Sequence, residues 1–160
     1  MRNNTERILV TGGSGFLGQA LVPTLKRKYS NVIVQSRINS SDFCVDFINK
    51  SASFNFLDKI KPTVIVNLIG LTNVDICEQN PNLALFVNSK TVENISSWLR
   101  EPGRQGKLVH ISTDHFYNSA GYSKESEITL VNQYARSKWE AELHAKKCGA
   151  LIFRTNFFGL

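Results

Sequence analysis

Short apolar runs rich in Val, Ile and Leu alternate along this chain with longer stretches that mix apolar and polar positions. Six runs read as strands, at 7–11, 31–35, 43–46, 63–68, 107–112 and 150–154. Several are continuous rather than alternating, the pattern of strands covered on both faces. The segments at 15–28, 52–60, 82–100 and 132–148 read as helices, and Glu101-Pro102-Gly103 stops the third. This alternation predicts an α/β fold, a doubly wound parallel sheet of six strands between two helical layers. The expected strand order is 3-2-1-4-5-6. No internal repeat, low-complexity tract or linker interrupts the pattern, so residues 1–160 read as one domain.

A length of 160 residues suits one domain with one core. Hydrophobic residues at 42% and charged residues at 20% are an ordinary globular balance. No apolar run is long enough for a membrane span, and the polar stretch 1–7 does not read as a secretory signal. Cys44, Cys77 and Cys148 are widely spaced and form no Cys-x-x-Cys pair. A disulfide framework or zinc site is therefore not expected, and a reducing cytoplasm fits best. The formal net charge of +6 favours anionic partners. Nucleic acid is one candidate and a phosphate-bearing cofactor another. Only Lys26-Arg27-Lys28 clusters, so the cofactor is the better fit.

The first predicted strand runs into Thr11-Gly12-Gly13-Ser14-Gly15-Phe16-Leu17-Gly18. Gly12, Gly15 and Gly18 have G-x-x-G-x-x-G spacing between a strand and a helix. The first permits a tight turn, the second lets backbone N–H groups approach a pyrophosphate, and the third lets helix pack on strand. The helix N-terminus offers unpaired donors to the phosphates. After the second strand stand Ser36 and Arg37, where an acidic residue would accept hydrogen bonds from the ribose 2′-OH of NAD. A hydroxyl and a guanidinium suit a 2′-phosphate instead, so NADP(H) is preferred and NAD(H) is the alternative.

Tyr134 and Lys138 stand four apart on a predicted helix, hence on one face. An ammonium beside a phenol is expected to lower the phenol's pKa, and a Tyr so tuned can donate or accept a proton at a carbonyl oxygen. The fifth strand ends in Ser112-Thr113-Asp114, where a hydroxyl could bond the reacting oxygen. Thr113 is the first choice and Ser112 the second. His110 falls within a strand and reads as a core residue. His115 could line a site entrance, and His144 falls on a helix surface. Trp98 and Trp139 read as packing residues. Asp75 and Glu78 are too few carboxylates for a metal site.

The glycine turn, Val64-Ile65-Val66-Asn67, Phe86-Val87-Asn88, His110-Ile111-Ser112-Thr113-Asp114 and Tyr134-x-x-x-Lys138 follow the order found in the extended short-chain dehydrogenases. The chain resembles that family over nearly its whole length. Val74-Asp75-Ile76-Cys77-Glu78 and Ser112-Thr113-Asp114-His115-Phe116 are most similar to its dTDP-4-dehydrorhamnose reductase branch. The resemblance implies a Rossmann fold and a catalytic set of Thr113, Tyr134 and Lys138. Phe16 and Leu17 would join Gly12, Gly15 and Gly18 against the cofactor. Asp46 and Phe47 would lie near the adenine, Asn67, Leu68, Ile69 and Gly70 would line the cofactor, and Asn88 would sit in a helix behind the site. The implied reaction is NADP(H)-dependent reduction of a nucleotide-linked 4-keto-6-deoxy sugar. Hydride would pass from the nicotinamide and the proton from Tyr134. Thr113 would position the carbonyl oxygen, while Lys138 would tune Tyr134 and bind the nicotinamide ribose.

Three departures from the family pattern stand out. Leu68 and Ile69 replace small residues, the segment from Thr113 to Tyr134 is a few residues short, and Asn118-Ser119 replaces an Asp-Gly turn. Substrate contacts in the family come largely from a C-terminal lobe that 160 residues do not include. Cofactor binding without efficient turnover is therefore expected of these residues alone. The expected partners are a sugar-nucleotide substrate and, as an open option, a second copy in a homodimer, with neither nucleic acid nor membrane. Two other readings stand beside this one: an epimerase or dehydratase of the same superfamily, and a non-catalytic regulatory protein.

Overall fold

A computed structural model describes residues 3–37, 41–118 and 121–156; Ser119 lies outside them. The strands are β1 (Asn3–Thr11), β2 (Tyr29–Ser36), β3 (Phe43–Cys44), β4 (Val64–Asn67), β5 (Lys107–Thr113) and β6 (Leu151–Thr155). They form one six-stranded sheet in the order β3-β2-β1-β4-β5-β6, and every neighbouring pair is parallel. The expected order is the observed one.

Register explains the continuous apolar runs. Leu9, Ile33, Ile65 and Leu108 lie level across β1, β2, β4 and β5, and all face one side. Helices α2 (Lys50–Ile60), α5 (Thr91–Leu99) and α6 (Gln133–Lys147) cover that side, with Phe56, Leu57, Val92, Ile95, Trp98, Ala141 and Ala145 in the same cluster. Ile8, Val10 and Val66 face the other side, against Leu21, Val22 and Leu25 of α1 (Phe16–Lys28). A strand between two helical layers gains nothing by alternating polar with apolar positions. Leu9 and Leu57 are wholly inaccessible, so truncating either to Ala would cost roughly 2–5 kcal/mol.

Two short helices, α3 (Val74–Gln79) and α4 (Pro81–Ala84), escape the strand–helix pattern. Asn73 caps α3 by accepting the Ile76 N–H. The helix expected over 82–100 is interrupted: Leu85–Lys90 is a π-helical turn between α4 and α5. The third strand shrinks to two residues, and only Phe43 and Cys44 pair with β2. Asp42 accepts the Val34 N–H at 2.8 Å just before it, so a carboxylate takes up one edge donor of β2.

The basic cluster Lys26-Arg27-Lys28 forms the last turn of α1, where cations complement the helix dipole. Among the described residues no helix is long and apolar enough to cross a membrane. Cys44, Cys77 and Cys148 are all free thiols.

Candidate active site

The carboxyl ends of β1, β4 and β5 and the first turns of α1 and α6 surround a cavity of about 530 Å³. Gly12, Gly15, Phe16, Leu17 and Gly18 form one wall, and Leu68, Ile69 and Gly70 the next. Thr113, Tyr134 and Lys138 line it opposite the glycine turn. A second cavity, of about 220 Å³, adjoins it, with Gly12, Gly15, Leu68, Ile69 and Gly70 lining both. Ser36, Arg37, Asp46 and Phe47 line the second cavity. The two make one cleft across the sheet's carboxyl edge, where open α/β sheets bind ligands.

The glycine turn is tight for reasons visible at two positions. Gly12 has φ +70°, and a Cβ there would lie 2.8 Å from the Ile69 amide nitrogen. A Cβ on Gly18 would collide with the Gly13 backbone. Helix α1 thereby starts against β1 and points its N-terminus into the cleft. Asn49, Asn73 and Asn132 cap α2, α3 and α6 with their side chains. The α1 N-terminus begins at Gly15, has no side-chain cap and no acidic residue in its first turn. Its free N–H groups and positive dipole end are therefore open to an anion.

The cleft floor rests on a buried polar row. Gln35, Thr11, Asn67 and His110 lie level on β2, β1, β4 and β5. All are at most 1% exposed. The Gln35 amide oxygen accepts the Gly12 N–H at 3.3 Å, and its nitrogen donates to the Val45 carbonyl at 2.6 Å. Thr11 donates to Asn67 Oδ1 at 2.7 Å, and the same oxygen accepts the Ile69 N–H at 3.4 Å. Asn67 Nδ2 lies 3.2 Å from His110 Nδ1. Burial, with the Lys138 charge nearby, holds the His110 imidazole neutral, with its pKa well below the ordinary value. His110 is thus a structural residue, as its strand position implies. Asn67, expected to line the cofactor, lies behind the cleft wall and lines neither cavity. It reaches the cleft only through the Ile69 amide.

Asn88 acts from the other side. It lies in the π-helical turn, wholly buried. Its Oδ1 accepts the Leu71 N–H at 2.6 Å, and its Nδ2 donates to the Leu71 carbonyl and to Ser137 Oγ. Asn67 and Asn88 therefore clamp the segment 68–71 from both sides. The π turn also carries Val87 to the second cavity, with Thr91 at its end. A one-residue expansion of a helix commonly marks a functional site.

Tyr134 and Lys138 share one face of α6, both buried against β5. Tyr134 and Thr113 line the same cavity, and Thr113 Oγ1 accepts the His115 N–H at 3.2 Å. Ser112 Oγ lines the same cavity without a partner among the described residues. The expected tuning of Tyr134 by Lys138 does not occur in this state. Burial raises the phenol's pKa, the neighbouring Thr113 hydroxyl opposes this, and Cys77 and Asp114 raise it further. Lys138 instead donates to the Ile111 carbonyl at 2.7 Å. Burial pulls its own pKa down to about 8, against the attraction of Glu142.

The segment after β5 returns over the site. His115 lines the large cavity, its ring edge-on to Tyr134 with centroids 5.3 Å apart. Arg154 of β6 fixes the rest of the segment by donating to the Tyr117 hydroxyl and the Glu125 carbonyl. Sequence reasoning missed Gln35, Thr72, Thr155 and Asn156, all of which line the cleft. Gln35 sits at the end of a strand beside the flagged Ser36, which was the available signal. Glu78 accepts the Gln133 N–H, joining α3 to the start of α6. Among the described residues no group of three or more His, Cys, Asp or Glu side chains is placed to hold a metal ion.

Known proteins resemble this chain in sequence and fold. The dTDP-4-dehydrorhamnose reductase of Escherichia coli is 33% identical over 157 residues, covering 94% of this chain and 51% of the relative. The methionine adenosyltransferase 2 subunit beta of Xenopus laevis is 27% identical over 142 residues, covering 86% of this chain and 42% of its own length. Among solved structures, dTDP-4-dehydrorhamnose reductase from Bacillus anthracis in complex with NADP superposes with a TM-score of 0.79 at 26% identity, covering 96% of this chain and 52% of that one. The chain spans about half the length of the curated relatives it matches. Residues 6–158 match the family model described as the RmlD substrate binding domain, and the chain belongs to that family.

Proposed function

We propose that this chain supplies the dinucleotide site and the proton-transfer residues for NADP(H)-dependent reduction of a nucleotide-linked 4-keto-6-deoxy sugar. The observation that carries the reading is the convergence of Thr113, Tyr134 and Lys138 on one cavity that the glycine turn also lines. The relatives' names supply the substrate class, and the NADP complex of a solved relative supports the cofactor.

The residues fit a dinucleotide phosphate. The glycine turn leaves no room for a Cβ at Gly12, and the α1 N-terminus is uncapped and free of acidic side chains. Ser36 and Arg37 stand in the smaller cavity, where a guanidinium can pair with a 2′-phosphate. Asp46 and Phe47 would border the adenine there, with Leu68, Ile69 and Gly70 along the middle. Bound NADPH would supply the hydride to the carbonyl carbon.

The chain's own residues manage the proton. Tyr134 carries a raised pKa, so it is protonated at neutral pH and serves as the acid for reduction. Its hydroxyl proton goes to the carbonyl oxygen as negative charge develops there. Thr113 stands beside the phenol and shares that oxygen. Lys138, a cation at neutral pH, lowers the cost of the phenolate left behind once it turns from Ile111 towards the cleft.

The test is a titration with NADPH and NADH, followed by single-turnover assay with a dTDP-4-keto-6-deoxy sugar in a chain extended by a family C-terminal half. Tyr134→Phe should retain NADPH binding and lose about 10²–10⁴-fold in rate. Failure to bind either dinucleotide overturns the reading. Binding with no reduction by the extended chain moves it to the non-catalytic alternative.

A further inference from the structure

Arg154 and Glu142 form a pair that the reaction as outlined leaves without a role. Glu142 lies on α6 one helical turn beyond Lys138 and is 1% exposed. Arg154 reaches it from β6 with two parallel hydrogen bonds, Nε to Oε1 and a terminal nitrogen to Oε2, both 2.8 Å. The guanidinium stacks over Phe116, Tyr117 and Trp139 at 5.0–5.7 Å. Its remaining nitrogen donates to the Tyr117 hydroxyl and the Glu125 carbonyl. The fork cannot turn away without breaking contacts to α6 and the returning segment together. A carboxylate this deeply buried requires a paired cation, and the planar fork supplies it in a single fixed geometry.

We propose that Arg154 is a positioning residue: by clamping Glu142 from β6, it fixes the strength of the negative charge that stands behind Lys138. This rests on the reading of Lys138 as part of the reduction site. Glu142 attracts the Lys138 ammonium. A carboxylate held in a fork is largely neutralised by its partner, so it offers Lys138 only partial support. Burial thus holds the Lys138 pKa near 8, and the masked carboxylate offsets only part of that shift. The other charged or titratable groups around the pair are few. Lys146 on α6 lies 3.9 Å from Glu142, and Tyr117 lies on the returning segment. On the Lys138 side stand His110 of β5 and Tyr134, itself faced by Cys77 of α3 and Asp114.

The pair makes opposite predictions for its two halves, which loss of stability cannot mimic. Glu142→Gln removes the attraction and should lower the Lys138 midpoint. Arg154→Met unmasks Glu142 and removes a cation, and should raise the midpoint by about one unit. Arg154→Lys keeps the charge, loses the fork, and should fall between the wild type and Arg154→Met. Ile152→Ala weakens the same strand without touching the pair and should leave the midpoint unmoved. The readout is NMR titration of isotope-labelled lysine side chains in the 160-residue chain, with Lys138 assigned through Lys138→Arg. The wild-type midpoint is expected near 8.

Shifts of opposite sign in the two variants support the proposal. Shifts of the same sign, or none, overturn it. If Arg154→Met does not fold, the upward shift of Arg154→Lys decides. Because no cofactor is present, failure here leaves the dinucleotide reading standing, and failure of NADPH binding leaves this coupling standing.

Discussion

Lys138 Nζ donates to the Ile111 carbonyl at 2.7 Å, tying α6 to the carboxyl end of β5 at the cleft. That contact holds a fully buried ammonium whose pKa burial has pulled from 10.5 to about 8. Unfolding returns Lys138 to water and to its ordinary value. Between pH 8 and about 10 the unfolded chain binds more protons than the folded one, so stability should rise with pH. The burden is fully present below pH 8, and relief across the window approaches ~3 kcal/mol. Above about pH 10 the raised pKa of Tyr134 acts in the opposite direction. Urea denaturation at several pH values checks this, and Lys138→Met should flatten the rise.

Gly12 and Gly103 both have positive φ, +70° and +78°, but only Gly12 is crowded. Gly103→Ala meets open space and should cost about 1 kcal/mol, the backbone term alone. Gly12→Ala adds a clash with the backbone of Leu68 and Ile69 and should cost ~3 kcal/mol or more. It should also abolish NADPH binding by pushing the cleft walls apart. Equal losses in the two variants, measured by denaturation, would contradict the close approach at Gly12.

Arg37 is exposed at the rim of the smaller cavity. Arg37→Asp should weaken NADPH binding by about 1–3 kcal/mol, the scale of a lost charge-assisted hydrogen bond. NADH binding should hold or improve, because an acidic side chain there can accept from a ribose 2′-OH. Fluorescence titration of both dinucleotides measures the ratio. A loss shared equally by both would remove Arg37 from 2′-phosphate recognition.

Asn88 makes three hydrogen bonds in a fully buried position. Asn88→Ala leaves both Leu71 backbone groups without their side-chain partner and should destabilise the chain by ~1–3 kcal/mol. The same change frees one end of the 68–71 segment, so NADPH affinity should fall as well. Thermal melts with and without NADPH separate the two effects. An unchanged ligand-induced increment in Tm would mean that Asn88 serves the fold alone.

The parallel sheet was readable because doubly covered strands write themselves as continuous Val, Ile and Leu runs, as β1 and β4 do here. The cleft was readable because turn geometry restricts Gly12 and Gly18 to one residue type. Less was visible where one-residue accidents decide. The π turn at Leu85–Lys90 leaves the helical apolar pattern intact to the eye, yet it aims Val87, Asn88 and Thr91. The α3 helix is six residues long, too short for periodicity, although its Asn73 cap was in plain view. The family resemblance implies that Asn67 lines the cofactor, but the last residue of a strand can face either side of the sheet. The Asn67 side chain belongs to the inner face, and side chains one residue apart on a strand point opposite ways. The state of Tyr134 depends on burial and on where Lys138 points, which spacing along a helix does not determine.

The buried row of Gln35, Thr11, Asn67 and His110 bears on how fast a ligand arrives. It anchors the Gly12 and Ile69 amides before anything binds, so ordering of the two turns belongs to folding and not to recognition. A dinucleotide then meets a finished cradle. Association should be a single-step encounter with rates linear in ligand concentration, and variants of this chain should differ mainly in how long the complex lasts.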